Sequence, residues 1–228
     1  HCISSAASDV YKRQELENRT KETESVVKAY LPEESGWAKT VIEAMNYSVN
    51  VGGKRLRPML MAETYKLFGG KDKAVEPFMA AIEMIHTYSL VHDDLPAMDN
   101  DEYRRGKKTT WVVYGDAMAI LAGDGLLNYA FETALTSFEI PGSSVAAKAK
   151  ALSILAKKAG IHGMIGGQTA DIEAEHLGGT VTQEHLLFIH EHKTAALIQA
   201  AMMAGAVLAG ASDAQVQMAV SYTHLRAH

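Results

Sequence analysis

The strongest constraint on the fold is a hydrophobic period of helical type that recurs along almost the whole chain. In the segment 74–92, for example, Val75, Phe78, Ile82 and Ile85 fall on one face of a helix. Only five prolines occur, and no segment shows the strict alternation of a strand. We therefore predict a single all-α domain of stacked helices, over residues 15–30, 37–50, 59–68, 74–92, 115–138, 143–159, 164–174 and 182–211.

The composition excludes several classes of protein. With 22 Lys and Arg against 27 Asp and Glu, the formal net charge is −5, so there is no cationic field for nucleic acid. The most apolar stretch, 195–211, is mostly Ala and Gly and contains Gln199, so we predict no membrane span. The single cysteine, Cys2, excludes a disulfide framework and cysteine-type zinc sites. No signal peptide is recognised, and we expect a cytoplasmic protein.

The two ends of the chain differ from the rest. Residues 1–14 (HCISSAASDVYKRQ) and 220–228, which end in SYTHLRAH, resemble translated adapter sequence and match no motif described below. We therefore expect both ends to be non-native tails on a domain that spans residues 15–219.

The most informative segment is 92–108, HDDLPAMDNDEYRRGKK, where acids are followed at once by bases. Pro96 disfavours the α conformation of Leu95, so the preceding helix is expected to end near Asp94. Carboxylates at a helix C-terminus repel one another and face an unfavourable dipole. A divalent cation would offset this repulsion, and oxygen ligands without His or Cys indicate a hard ion, most simply Mg²⁺. The alternative is a solvated loop in which acids and bases screen one another.

Three further patterns favour anion binding. The turn 52–58 (GGKRLRP) places three cations at a helix N-terminus, where free N–H groups and the dipole attract anions. Gln168 and Asp171 share a helix face beside glycines that allow close approach. Lys193 and Thr194 begin an apolar helical stretch, where a lysine must meet an anion or extend to the surface. Each pattern alone is also compatible with an ordinary surface turn or helix.

Taken in order, four segments resemble the trans-isoprenyl diphosphate synthases, in particular the bacterial farnesyl diphosphate synthases. They are GGKRLRP, MIHTYSLVHDDLPAMDNDEYRRGKKT, GMIGGQTADIEAE and HKTAALI. The resemblance covers about residues 15–219. It implies the isoprenoid synthase fold, a bundle of long helices around a deep central cavity, in a protein that is usually a homodimer.

The resemblance also implies roles for individual residues. Asp93, Asp94 and Asp99 look like the family's first aspartate-rich motif, whose Mg²⁺ (Mn²⁺ is an alternative) bridges the allylic diphosphate. Arg104 matches the position that contacts this diphosphate. The residues that match the isopentenyl diphosphate site are Lys54, Arg57, His86 and Arg105. Those that match positions around the allylic diphosphate and the developing cation are Lys193, Thr194 and Gln168, with Asp171 in the same helical motif.

The implied reaction condenses dimethylallyl or geranyl diphosphate with isopentenyl diphosphate to give farnesyl diphosphate. It proceeds by metal-assisted ionisation, condensation and elimination, so the rate depends on electrostatic stabilisation of the leaving diphosphate. Tyr88 lies five residues before Asp93, about 7.5 Å further along the helix. In the family, an aromatic side chain near this place stops growth at farnesyl length; simple packing is the alternative role for Tyr88.

One family feature is missing from the sequence. The family carries a second motif, of the type FQxxDDxxD, some way after its Lys-Thr pair, and this chain ends before reaching it; we expect the 228-residue chain itself to be inactive. Three alternatives stay open. They are a geranyl or geranylgeranyl diphosphate synthase, a non-catalytic subunit of a prenyl synthase, and an HD-type phosphohydrolase using His92 and Asp93 with a second histidine.

Overall fold

The computed structural model describes residues 2–176 and 181–224, and the side chains of residues 12–175 and 181–221. Within these ranges the helices are α1 (Cys2–Ala29), α2 (Lys39–Asn50), α3 (Leu56–Leu67), α4 (Glu76–Asp93), α5 (Thr110–Tyr114), α6 (Asp116–Leu135), α7 (Val145–Ala159), α8 (Met164–His176), α9 (Gln183–Ile189), α10 (Ala196–Leu208) and α11 (Asp213–His224). Short 3₁₀ turns cover Lys73–Val75 and Thr136–Glu139, and a π-helical segment covers His190–Ala195. The all-α prediction is confirmed.

The secondary structure differs from the prediction in several places, and helices α5 and α11 are among the elements that were not expected. A two-residue hairpin pairs β1 (Tyr103–Arg104) with β2 (Lys107–Lys108), where no strand was expected. It forms because Arg105 and Gly106 both adopt positive φ, 53° and 77°, as a tight primed turn requires. The predicted helix over 182–211 is divided into α9, the π-helical segment and α10. Its N-cap is as expected, because Thr182 Oγ1 accepts a hydrogen bond from the His185 N–H at 3.2 Å.

The helices do not mark the expected ends of the domain. Helix α1 begins at Cys2 and passes through residue 14, and α11 passes through residue 219. The assignment of 1–14 and 220–228 as tails stays a prediction, and residues 1 and 225–228 lie outside the described ranges.

Helix α4 lies at the centre of the bundle. Its side chains Phe78, Ile82 and Ile85 are fully buried, and burial of such a side chain stabilises a fold by about 1.5–3 kcal/mol. The most extensive interface of α4 is with α6. Helix α6 presents small buried residues there, such as Ala122 and Ala130, which allow the two helices to pack closely. Helices α1, α2, α3 and α10 also contact α4. This central position places the C-terminal end of α4, with Asp93, on the wall of a cavity between α4, α6 and α8.

The most apolar helix, α10, packs against α3 and α7 inside the bundle. Its residues Leu197, Ala200 and Ala204 are fully buried. Among the helices in the described ranges, none combines the length and the apolar character needed to cross a membrane.

Candidate active site

A cavity of about 480 Å³ lies between α4, α6, α8 and the π-helical segment. Its wall includes seven of the residues predicted for the site: Arg57, His86, Tyr88, Asp93, Gln168, Lys193 and Thr194. Much of the remaining wall is apolar, with Leu127 from α6 and Met164, Ile165 and Ile172 from α8. A cavity of this size, apolar with a few converging charges, is typical of a small-molecule site.

The acidic part of the wall is shaped by the end of α4. The helix ends at Asp93 as Pro96 predicts, and the following turn folds back so that the Asp99 N–H donates to the Asp93 carbonyl oxygen at 2.8 Å. Burial raises the pKa of Asp93 to about 6; the positive charge of Lys193 opposes this, and the nearby Asp99 carboxylate adds to it. Within the described side chains, neither Asp93 nor Asp99 accepts a hydrogen bond or ion pair.

Asp94 is held differently from its neighbours. Its carboxylate is buried and accepts a forked interaction from Arg104, with Nη2 donating to Oδ1 at 2.6 Å and Nε donating to Oδ2 at 2.9 Å. This hydrogen bond raises the pKa of Arg104 further above its usual value. The two residues, predicted as a metal ligand and a diphosphate contact, are therefore paired with each other.

The three predicted metal ligands are not assembled as one set. No group of three Asp, Glu, His or Cys side chains in the described part of the chain is close enough to hold an ion. Asp93 and Asp99 nevertheless suit Mg²⁺, because their carboxylates repel each other, neither accepts a hydrogen bond from a described side chain, and Asp93 lines the cavity. Mg²⁺ is usually bound through one or two carboxylates together with substrate phosphates.

The opposite wall carries Lys193 on the π-helical segment, with Gln168 and Thr194 beside it. Lys193 Nζ forms an ion pair with Asp171 of α8. Burial acts to lower the pKa of Lys193, but the Asp171 hydrogen bond and the charges of Asp93 and Asp99 outweigh it, and the pKa lies above its usual value. Lys193 is therefore a cation held across the cavity from the acidic residues.

The π-helical segment approaches α8 closely at Gly167. A Cβ atom at Gly167 would overlap the backbone nitrogen of Lys193, so only glycine allows this approach. An extra residue in a helical turn often accompanies a functional site. Here the turn carries both Lys193 and Thr194 to the cavity wall.

A basic region adjoins the cavity. A small void of about 30 Å³ is lined by Arg104 and Arg105, and His86 lies on the wall of both spaces. Burial, with the positive charges of Arg57, Arg105, Arg104 and Arg55, lowers the pKa of His86 to about 3, so the imidazole is neutral. The Arg57 Nε is buried without a hydrogen-bond partner among the described residues.

Lys54 lies apart from these residues. It is exposed on the turn before α3 and lines neither space, although Arg57 at the start of α3 lines the cavity. Arg105 is supported by this turn, because a Cβ atom at Gly53 would overlap the Arg105 guanidinium.

One group on the walls was missed by the sequence analysis, and a second was named there only for an alternative function. One is the buried pair of Arg55 and Glu83, whose signal is a carboxylate within the otherwise apolar first part of α4. The other is His92, whose Nε2 lies 3.1 Å from the Ile120 carbonyl and 3.8 Å from Asp124. Because a carbonyl oxygen can only accept a hydrogen bond, the Nε2 atom of His92 carries the proton in this contact. The HD-type phosphohydrolase would need a second histidine close to His92 and Asp93. No such group of three side chains occurs in the described ranges, so the structure does not support this alternative.

Tyr88 is buried on the cavity wall, with its ring edge-on to His92 at 5.8 Å between centroids. Burial and the nearby Asp93 carboxylate raise the pKa of Tyr88 to about 12. The position is compatible with a role in limiting the space along α4, which stays a prediction.

An all-α bundle whose cavity carries carboxylates, a facing lysine and an adjoining arginine region defines the class of helical prenyl synthases. The chain belongs to the polyprenyl synthetase family, which matches residues 38–226. It is 47% identical over 205 residues to the farnesyl diphosphate synthase of Geobacillus stearothermophilus, covering 89% of this chain and 67% of that protein. The farnesyl diphosphate synthase of Bacillus subtilis is 43% identical, with coverage of 89% and 67%.

The chain is shorter than its relatives. A heterodimeric geranylgeranyl pyrophosphate synthase large subunit of Arabidopsis thaliana is 47% identical over 176 residues, which are 77% of this chain but 47% of that protein. Among solved structures, an FPP/GFPP synthase from Zymomonas mobilis superposes with a TM-score of 0.86 at 33% identity, covering 93% of this chain and 76% of that one. A geranyltransferase from Legionella pneumophila gives 0.84 at 34% identity, with coverage of 93% and 73%. The predicted isoprenoid synthase fold is confirmed.

Proposed function

We propose that the protein is a prenyltransferase that condenses dimethylallyl or geranyl diphosphate with isopentenyl diphosphate to give farnesyl diphosphate. The observation that carries this proposal is a single cavity with Asp93 and Lys193 on facing walls, Arg57 and His86 on the same surface, and apolar side chains between them. Similarity to two bacterial farnesyl diphosphate synthases at 43–47% identity supports it.

Asp93 and Asp99 are the residues that would hold Mg²⁺, with Mn²⁺ as an alternative. A divalent ion at these carboxylates would draw negative charge onto the departing diphosphate. Asp94 acts in this proposal through Arg104, whose guanidinium it fixes beside the same site. Lys193, already cationic, supplies a further positive charge from the opposite wall.

The reaction needs no nucleophilic side chain. The allylic C–O bond breaks and its electron pair leaves with the diphosphate, whose charge Arg104 and Lys193 stabilise. Isopentenyl diphosphate, held by Arg57, Arg105 and the neutral His86, attacks the allylic cation through its double bond. A role for Lys54 in holding this diphosphate is part of the proposal, although its side chain is exposed and lines neither space. The new C–C bond forms, and a proton then passes to the released diphosphate. Gln168 and Thr194 face the cation, and the apolar wall excludes the water that would trap it.

Calorimetric titration of the 228-residue chain with geranyl diphosphate tests the site. Binding is expected only with Mg²⁺ present, and Asp93→Asn should weaken it at least tenfold. Glu102→Gln, an exposed carboxylate on the same loop but outside the cavity, should stay within twofold. Metal-independent binding, or unchanged binding by Asp93→Asn, would overturn the proposed function.

We also propose that two copies associate through α6. Ile120, Leu121 and Leu135 are exposed apolar residues on this helix, and Leu121 is 53% exposed. Light scattering after gel filtration should give the mass of a dimer, and Leu121→Glu should give a monomer. A monomeric wild-type chain would remove this part of the proposal. The cytoplasm is the compartment we propose, on the single cysteine.

A further inference from the structure

The Arg55–Glu83 pair lies beneath the basic region of the site. Arg55 Nη1 donates to Glu83 Oε1 at 2.7 Å, and Arg55 Nη2 donates to the Val49 carbonyl at 2.7 Å. Their side chains are only 1% and 5% exposed. Glu83 is one helical turn before His86 on α4, so the pair joins the turn that precedes α3 directly to the helix that carries His86.

The backbone of the turn is strained at Arg55. Its φ is 49°, a left-handed conformation that a residue with a Cβ atom rarely adopts. Such a conformation persists only where surrounding contacts compensate for it. The two buried hydrogen bonds of the Arg55 guanidinium are contacts of this kind. They anchor the Arg55 side chain to Glu83 and to the Val49 carbonyl, and so hold its backbone in the strained conformation.

The strained turn also determines where two predicted ligand-binding cations lie. Arg57 is two residues after Arg55, and its Nε is buried without a partner among the described residues. The Arg105 guanidinium packs against Gly53, two residues before Arg55. A change in the position of Arg55 would therefore move Gly53, against which Arg105 packs, and would also move the backbone of Arg57.

The contacts of Arg55 differ from those of the neighbouring arginines, because both terminal nitrogens of its guanidinium already have partners. Among the described residues that line the small void, Glu83 is the single carboxylate, beside the cations Arg55, Arg104, Arg105 and Lys108. Arg55 donates through Nη1 to Glu83 and through Nη2 to the Val49 carbonyl, and only its Nε has no partner among the described residues. Arg57 and Arg105 form no side-chain hydrogen bond with another described residue and stay available.

We propose that Arg55 and Glu83 are positioning residues for the isopentenyl diphosphate site, holding Arg57, His86 and Arg105 in one arrangement. This inference rests on the proposed function. It predicts that loss of the pair weakens the binding of isopentenyl diphosphate but spares the allylic diphosphate. The Mg²⁺ and allylic residues are positioned by the end of α4, α8 and the π-helical segment instead.

The decisive variant is Arg55→Met with Glu83→Leu, which removes the pair without changing the net charge and leaves no buried charge unpaired. In calorimetric titration, its dissociation constant for isopentenyl diphosphate should rise at least tenfold. Its dissociation constant for geranyl diphosphate with Mg²⁺ should stay within twofold. Glu24→Gln is the matched control, because Glu24 also lies near Arg55, at 3.7 Å, but outside the void; both constants should stay within twofold.

The outcomes are distinguishable. If the wild-type chain binds neither diphosphate, the proposed function fails and this inference fails with it. If the wild type binds both and the folded double variant binds isopentenyl diphosphate equally well, only this inference fails, and the pair merely stabilises the fold. If both constants rise together, the effect is general structural damage and the inference also fails.

Should the double variant not fold, Glu83→Gln decides in the same assay. The lost negative charge alone would tighten diphosphate binding, whereas loss of the charged partner of Arg55 would loosen the turn. We expect binding of isopentenyl diphosphate at least threefold weaker than wild type. Equal or tighter binding would overturn the inference.

Discussion

Replacement of Arg104 by methionine should destabilise the fold through Asp94. The Asp94 side chain is 5% exposed and receives both arms of the Arg104 guanidinium, and Arg104 itself is 29% exposed. Removal of one partner of a buried pair typically costs about 3–5 kcal/mol. Because water can reach the partly exposed position of Arg104, we expect a loss of about 2–3 kcal/mol. That is roughly a 30- to 150-fold fall in the folding equilibrium.

Urea titration followed by circular dichroism measures this loss. With a slope of about 2 kcal/mol per molar urea, the midpoint should fall by about 1–1.5 M at pH 7. The deficit should shrink as the pH is lowered. Burial already raises the pKa of Asp94 in the wild-type protein although Arg104 opposes it, and loss of Arg104 raises this pKa further, so the folded variant binds the additional proton at a higher pH and gains stability relative to wild type on acidification.

Two controls separate the buried pair from general effects of substitution. Arg104→Met combined with Asp94→Leu should recover most of the stability, because no charge then stays buried. Lys150→Met, which breaks the exposed pair with Asp213, should cost less than about 0.5 kcal/mol. A loss below about 0.5 kcal/mol for Arg104→Met, or a double variant no more stable than the single one, would refute the reasoning.

Four other measurements test the remaining conclusions. Tyr88→Ala in an active, complete enzyme should lengthen the product beyond farnesyl diphosphate, as read by mass spectrometry; unchanged product would leave Tyr88 a packing residue. Gly167→Ala should displace the Lys193 backbone and weaken Mg²⁺-dependent geranyl diphosphate binding at least fivefold, and wild-type affinity would contradict the close approach. Because the folded pKa of His86 lies below its unfolded value, this residue by itself lowers stability by about 1 kcal/mol per pH unit below pH 6, so the stability of His86→Gln relative to wild type should rise by about that slope as the pH falls; a difference that does not change with pH would count against it. Only one carboxylate, Asp213, follows Lys193, so the 228-residue chain with Mg²⁺ and both diphosphates should bind without turnover, and robust turnover would contradict this.

The predictions that succeeded depend on local chemistry. Pro96 acts on its immediate neighbour, and α4 ends where this effect predicts, at Asp93. Thr182 caps α9 through a hydrogen bond three residues away. The helical period of residues 74–92 produces the buried face of α4, because a helix must cover its apolar side. The Arg105–Gly106 turn was missed because it depends on a positive φ at a non-glycine residue, which the sequence does not signal.

The amino-acid order alone determined an all-helical fold, the point where α4 stops, and the presence of acids, a lysine and arginines suited to a metal and diphosphates. Tertiary structure alone decided which charges pair. Asp94 is occupied by Arg104, Lys193 meets Asp171 across 22 positions of sequence, and Arg55 meets Glu83 across 28. These choices lie beyond sequence patterns because helix packing sets the distance between such groups, and burial sets the cost of leaving any of them unpaired.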